Sequence, residues 1–122
     1  MNEKRFWKLL YELGVLTQKG KVEWCDTAGE DCFTTLFKSG GVQLEKVYLE
    51  NAEGIPTPYY EATLLNSKSQ PIQTLTSLPD VDDDNPSPSP LRDYFELARF
   101  NARRGADVLD GLLAEVHGIA AH

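Results

Sequence analysis

Hydrophobic residues between Leu91 and Val116 recur at steps of three and four residues, which is the period of an amphipathic helix. Ser89 and Pro90 precede this stripe and suit a helix start, because serine can cap a free backbone N–H and proline fits the first turn. The pattern predicts one long C-terminal helix over residues 90–118. Its apolar face is expected to cover the strands that precede it in the sequence.

Small residues occupy the middle of this stripe at Ala98, Ala102 and Gly105. They would let the helix approach a sheet closely, which favours packing on the protein's own core. The other interpretation is a docking groove for a helix of a partner protein. Glycine lowers helix stability by about 1 kcal/mol relative to alanine, so Gly105 would weaken the helix locally.

A shorter amphipathic stripe predicts a first helix over residues 1–20. In residues 21–77 apolar and polar residues alternate with a period of two, which predicts strands separated by short turns. The segment around Phe33 is apolar on both sides, so it is expected to be a central strand.

Two features of the strand region predict irregular pairing. The alternation changes phase within residues 42–49, which predicts a β-bulge near Glu45 and Lys46. Pro56 and Pro58 have no N–H to donate to a sheet, so they are expected to delay the next strand.

The short turns also favour antiparallel neighbours, since a parallel crossover needs a much longer connection. The sequence therefore predicts an α+β fold in a single domain, residues 1–122. It consists of the N-terminal helix, an antiparallel meander of four to five strands, and the long amphipathic helix packed on the sheet. An acidic loop rich in proline and serine, residues 78–89, leads into the long helix.

The chain carries a net charge of −7, and its acidic residues are concentrated in the strand region. Residues 22–61 hold eight acids against two lysines, whereas residues 1–21 have a net charge of +3. A strongly acidic surface disfavours direct contact with nucleic-acid phosphates or anionic membranes. It serves solubility, or it meets a protein partner with a basic face by imitating nucleic-acid charge.

No apolar run approaches the roughly 20 residues that span a bilayer, and the N-terminus lacks the apolar core of a signal peptide. The expected location is therefore the cytoplasm. There, Cys25 and Cys32 are expected to be two small buried thiols rather than a disulfide, although a hairpin could bring them face to face. Their spacing matches no zinc site.

No residue pattern in the chain indicates catalysis, a cofactor or a metal site. The acidic run from Asp80 to Asn85 differs from a calcium loop, because prolines follow it and Leu91 stands where a bidentate glutamate is needed. His117 and His122 lie near the C-terminus without a neighbouring pattern that suggests a triad or a metal cluster.

The remaining candidates for function are acidic and aromatic side chains. Alternation places Tyr59 and Tyr60 on opposite faces of one strand, so one of them is expected to be exposed. Such rings are common anchors of protein interfaces, although a ring lying over a helix–sheet junction is the plainer interpretation. The candidate interaction residues are Glu23, Glu45, Glu61, Tyr59, Tyr60, Trp7, Asp82, Asp83 and Asp84.

Two stretches of the chain together resemble a pattern found in other small proteins. One is Gly20-Lys-Val-Glu-Trp24 followed by Asp31-Cys-Phe-Thr-Thr-Leu36. The other runs from Tyr94 to Glu115 with the pattern L-A-R-x-x-A…V-L-D-x-L-L-x-E. Together they resemble a loose group of small bacterial and phage-associated proteins. The resemblance implies a helix, a β-meander and a C-terminal helix, and it implies no activity and no functional residues.

These patterns favour a non-enzymatic protein-interaction module that uses its acidic surface, as an adaptor or inhibitor in a bacterial defence or mobile-element system. The alternative is a small-ligand-binding domain in which Trp24, Tyr59 or Tyr60 lines a pocket between helix and sheet. An enzyme would need a polar cluster assembled from distant residues. Self-association as a homodimer, through the long helix or an edge strand, is a further hypothesis.

Overall fold

The computed structural model describes residues 3–27, 29, 31–50, 52–77 and 90–121. Helices and strands follow one another as an α+β fold, which confirms the predicted fold class. The elements are α1 (Glu3–Gln18), β1 (Cys25–Asp26), β2 (Cys32–Phe37), β3 (Gly40–Glu50), β4 (Pro56–Asn66), β5 (Pro71–Thr76), α2 (Pro90–Ala102) and α3 (Gly105–Ala120). The acidic loop of residues 78–89 lies outside the described residues.

The strands form one five-stranded sheet in the order β1-β2-β3-β4-β5, and every neighbouring pair is antiparallel. A row of cross-strand partners runs through its centre, from Phe33 to Leu44, Ala62 and Leu75. All four side chains are buried. Because side chains alternate between the faces of a strand, this row defines the face of the sheet that packs against the helices.

The helices α1 and α2 close the core on that face of the sheet. Phe95 of α2 is 0 % exposed, and its ring lies 5.5 Å from the Phe33 ring and 5.4 Å from the Tyr60 ring between centroids. Each helix contributes its apolar stripe, as the helical period predicts. The buried residues of the two helices that join this core are Phe6, Leu10, Leu13, Leu91, Phe95 and Ala98.

The C-terminal segment contains two helices, so the prediction of a single long helix is wrong. Helix α2 ends at Ala102, and Arg104 adopts a left-handed conformation with φ 55° and ψ 44° before α3 starts. The missing side chain of Gly105 leaves room for the Phe100 ring, since a Cβ there would lie 2.3 Å from Phe100 Cδ2. The break redirects the chain, and no described residue of α3 is buried.

The strand β3 pairs with β4 without interruption from Gly40 to Glu50, so the predicted bulge near Glu45 and Lys46 is wrong. The irregularity lies instead between Leu64 and Leu65, where β4 meets β5. The change of phase in the sequence has another cause. The β3–β4 hairpin extends past the helices, and its apolar residues there, including the 49 % exposed Leu49, do not face the core.

Strand β4 begins at Pro56 and includes Pro58, so the prolines do not delay it. The backbone N–H of Tyr60 donates to Ser77 Oγ at 2.8 Å, which shows that even-numbered residues of β4 direct their N–H groups toward β5. The ladder between β4 and β5 extends only to Glu61. The missing N–H groups of the two prolines therefore fall where β4 has no neighbour, as expected for proline in a strand.

Both cysteines are free thiols, and they do not lie opposite each other. Cys25 pairs with Thr34, whereas Cys32 pairs with Glu45. Cys25 is exposed, so the prediction of two buried thiols is wrong for this residue. Partial burial raises the pKa of the Cys32 thiol, which keeps it protonated at neutral pH.

Candidate protein-interaction face

The face of the sheet opposite the helices is called the open face here, and its centre is polar. Register places Thr34, Gln43, Thr63 and Thr74 side by side across four strands. Neither α1 nor α2 packs on this face, because the residues that the helices cover occupy the alternate positions. Thr34 is 8 % exposed, so the accessible part of the open face lies on β3, β4 and β5, where Gln43 and Thr63 are half-buried and Thr74 is exposed.

Two predicted interaction residues, Glu45 of β3 and Glu61 of β4, are direct cross-strand partners on the open face. Facing residues of an antiparallel pair have Cβ atoms about 4.5–5.5 Å apart, and like charges in this arrangement destabilise a sheet. Both side chains are partly buried. Within the described residues neither forms a salt bridge, and Gln43 Nε2 donates to Glu45 Oε2 at 3.4 Å. The pair therefore places two negative charges side by side on the sheet without a described cation to neutralise them.

Tyr59, a third predicted residue, lies next to this pair on the same face, where it pairs with Val47. Partial burial, repulsion from the Glu61 and Glu45 carboxylates and a hydrogen bond to Glu61 raise the pKa of its phenol. The phenol therefore stays protonated at neutral pH and remains a hydrogen-bond donor. The structure thus brings Glu45, Glu61 and Tyr59 together, and they are called the acidic patch below.

The other predicted residues lie apart from the acidic patch. Tyr60 is 5 % exposed and its ring packs against Phe95, so it belongs to the core. Trp7 is partly buried against that same core from α1. Glu23 is exposed in the loop before β1, at the rim of a separate cavity. The predicted residues in the acidic loop lie outside the described residues: Asp82, Asp83 and Asp84.

That separate cavity, with a volume of about 410 Å³, lies between the end of α1, the loop before β1 and the junction of α2 with α3. Trp24 lines it and is fixed by two hydrogen bonds. Its backbone N–H donates to Asn101 Oδ1 at 2.7 Å, and its indole Nε1 donates to Thr17 Oγ1 at 2.9 Å. Thr17 in turn donates to the carbonyl of Leu13 at 2.6 Å. These contacts hold one wall of the cavity rigid.

Sequence reasoning missed the exposed apolar surfaces of the molecule. The stripe of α3 that was expected to cover the sheet is exposed, with Leu112 at 52 % and Ile119 at 76 %. The tip of the β3–β4 hairpin also exposes Tyr48 and Ile55. The one signal available in the sequence was Gly105, which weakens the helix where it breaks.

The described residues contain no group of three or more histidine, cysteine, aspartate or glutamate side chains that could hold a metal ion. His117 is exposed on α3, away from the acidic patch on the sheet. None of the helices in the described part of the chain is both long enough and apolar enough to cross a membrane.

Comparison with known proteins gives no match for this chain among protein-family models, curated proteins or solved structures. The resemblance to small bacterial and phage-associated proteins therefore stays a prediction.

Proposed function

We propose that the protein is a non-enzymatic interaction module of the cytoplasm, and that its acidic patch binds a basic surface of a protein partner. The setting we propose is an adaptor or inhibitor role in a bacterial defence or mobile-element system. The patch does not suit direct contact with nucleic acid or with an anionic membrane, because both carry negative charge.

The observation that carries this proposal is the facing pair Glu45 and Glu61. Opposed carboxylates on neighbouring strands lower the stability of a sheet, so a lysine and a glutamate would suit the fold better at these positions. A lysine or arginine of a partner placed between the carboxylates would offset their repulsion. The Tyr59 phenol donates its one O–H to Glu61, and its ring adds a flat aromatic surface beside the charge, which is common in protein interfaces.

Replacing both carboxylates by amides, Glu45→Gln with Glu61→Gln, is expected to remove partner binding while leaving the fold intact. The removal of repulsion should raise the free energy of unfolding by up to about 1 kcal/mol. The measurement is a pull-down from the native host with the immobilised protein, quantified by mass spectrometry at low and at moderate salt. Bound partners should carry basic surfaces and should dissociate as salt rises.

The matched control is Glu3→Gln with Glu12→Gln, which removes the same charge from exposed positions of α1. This variant is expected to retain the partners, because its substitutions lie away from the open face. If the control loses the same partners, net charge rather than the patch governs binding. Partners that stay bound to the variant lacking both patch carboxylates would contradict the proposal.

The cavity beside Trp24 supports a second candidate function, binding of a small ligand. Its volume of about 410 Å³ falls in the range of small-molecule sites, and its rim combines an aromatic wall with the charges of Glu23, Arg104 and Asp107. Trp24 is 5 % exposed and is held in the core by its hydrogen bonds, so the half-exposed Phe100 ring supplies most of the aromatic surface that a flat or partly apolar molecule would contact.

A ligand in this cavity is expected to change the fluorescence of Trp24. The substitution Trp7→Phe removes the other tryptophan, so the remaining signal reports on Trp24 alone. Native mass spectrometry of the purified protein would identify a retained molecule, and its removal should shift the emission of the Trp7→Phe variant. If the purified protein carries no ligand and no compound of a broad metabolite library changes the Trp24 emission, this function is contradicted.

A further inference from the structure

Helix α3 exposes an apolar stripe along one of its faces. The stripe contains Val108, Leu109, Leu112, Leu113, Val116 and Ile119, each about half exposed or more. They recur at helical spacing and span about 17 Å of the helix, given a rise of 1.5 Å per residue. Exposed apolar patches of this kind mark interaction sites in soluble proteins, so α3 is a candidate docking surface.

The described part of the same chain also contains an open apolar groove beside the core. It runs between α1 and the sheet, has a volume of about 360 Å³, and is lined by Leu9, Leu13, Phe37, Leu64 and Ile72 among others. Phe37 and Ile72 are 52 % and 61 % exposed. No residue of α3 lines it, so the helix of the same chain does not fill it.

Charge makes the groove and α3 complementary. Helix α3 carries Asp107, Asp110 and Glu115 and has no lysine or arginine. The groove is bordered by two turns that are joined through the pairing of Gly40 with Asn66, and these turns carry the exposed Lys38 and Lys68. Two copies of α3 packed on each other would instead bring like charges together, so the groove is the better cover.

The area that a helix buries in the groove indicates whether one such contact or two are needed for a stable dimer. Helix α3 is about 24 Å long and about 10 Å in diameter, so packing its whole length in one groove buries on the order of 500 Å², counting both surfaces. A stable interface needs at least about 1,000 Å². A twofold arrangement meets that value, because each copy contributes both a helix and a groove and the contact occurs twice.

We propose that the protein forms a twofold-symmetric homodimer in which α3 of each copy lies in the groove between α1 and the sheet of the other copy. This dimer leaves the open face of the sheet free and does not depend on the proposed function. Because the area is close to the lower limit, dissociation in the micromolar range is expected.

Sedimentation velocity across a micromolar concentration series tests the dimer. The unmodified protein is expected to shift from monomer to dimer as concentration rises. Leu112→Glu in the helix and Ile72→Glu in the groove should each raise the dissociation constant at least about tenfold, since each places a charge in an apolar contact. The control Leu49→Glu introduces the same charge at an exposed apolar site of the hairpin and should leave the dimer unchanged.

Charge reversal supplies a second test that does not depend on apolar surface. Lys38→Glu with Lys68→Glu should weaken the dimer, and adding Asp107→Lys with Asp110→Lys to the same chain should restore it. A protein that stays monomeric at all concentrations would overturn the proposal. A dimer that Leu112→Glu weakens and Ile72→Glu does not would also overturn it. The same conclusion would follow if the two sets of charge reversals had additive effects, with no restoration of the dimer.

Discussion

Phe95→Ala is expected to lower the free energy of unfolding by about 3–5 kcal/mol, the range for removing a fully buried aromatic side chain. Phe95 is 0 % exposed at the centre of the core. Its ring packs at tilted angles against Phe33 and Tyr60, so the substitution removes both aromatic contacts and leaves a cavity between α2 and the sheet. Urea denaturation followed by circular dichroism measures the change.

Phe100→Ala is the matched control, since the same side chain is removed from the same helix. Phe100 is 50 % exposed and lies against Gly105 at the junction of α2 and α3, so the expected loss is smaller, about 1–2 kcal/mol. Equal losses for the two variants would mean that α2 does not pack on the sheet through Phe95. An unchanged denaturant midpoint for Phe95→Ala would contradict the core described above.

Gly40→Ala is expected to lower the free energy of unfolding by about 2–4 kcal/mol, as the sum of backbone strain and overpacking. Gly40 has φ 157°, and a Cβ at this position would lie 2.2 Å from the carbonyl oxygen of Leu65. This neighbour is backbone of the adjacent strand and cannot rotate away. The substitution must therefore separate β3 from β4 at the start of their ladder, where Gly40 pairs with Asn66.

Gly54→Ala separates the steric effect from the effect of conformation. Gly54 has φ 77°, but no atom of the described residues beyond its chain neighbours lies within 4 Å of a Cβ there, so only the strain of a left-handed alanine, about 1–2 kcal/mol, is expected. Thermal unfolding of both variants gives the comparison. If Gly40→Ala lowers the free energy of unfolding no more than Gly54→Ala does, the β3–β4 ladder accommodates the added Cβ at no cost, which would contradict this prediction.

The fold class was predictable because each part of the sequence favours one local structure. The segment around Phe33 was predicted to be a central strand buried on both sides, but β2 lies beside the two-residue edge strand β1, and Leu36 and Phe37 at its end are 62 % and 52 % exposed. Alternation did place Tyr59 and Tyr60 correctly on opposite faces of β4.

The position of the break between α2 and α3 was not predictable, since arginine rarely adopts the left-handed conformation seen at Arg104. Gly105 beside it indicated only a locally weaker helix. Period alone cannot distinguish an apolar stripe that covers its own sheet from one that needs another surface.

The acidic patch was predictable only in part. Composition pointed to the acids of the strand region, but the facing of Glu45 and Glu61 depends on the register of β3 and β4. A bulge near Glu45 would have changed that register and sent one side chain to the other face. A hairpin end that extends past the helices produces the same change of phase as a bulge. The sequence alone therefore could not distinguish a bulge from an exposed hairpin end.

The most direct test of the acidic patch is an NMR titration of the labelled protein with a captured partner. Backbone amide signals of residues 43–47 and 59–63 are predicted to shift the most, with the effect weakening as salt rises. Shifts confined to α3 or to the cavity beside Trp24, with both strand segments unchanged, would contradict binding through Glu45, Glu61 and Tyr59.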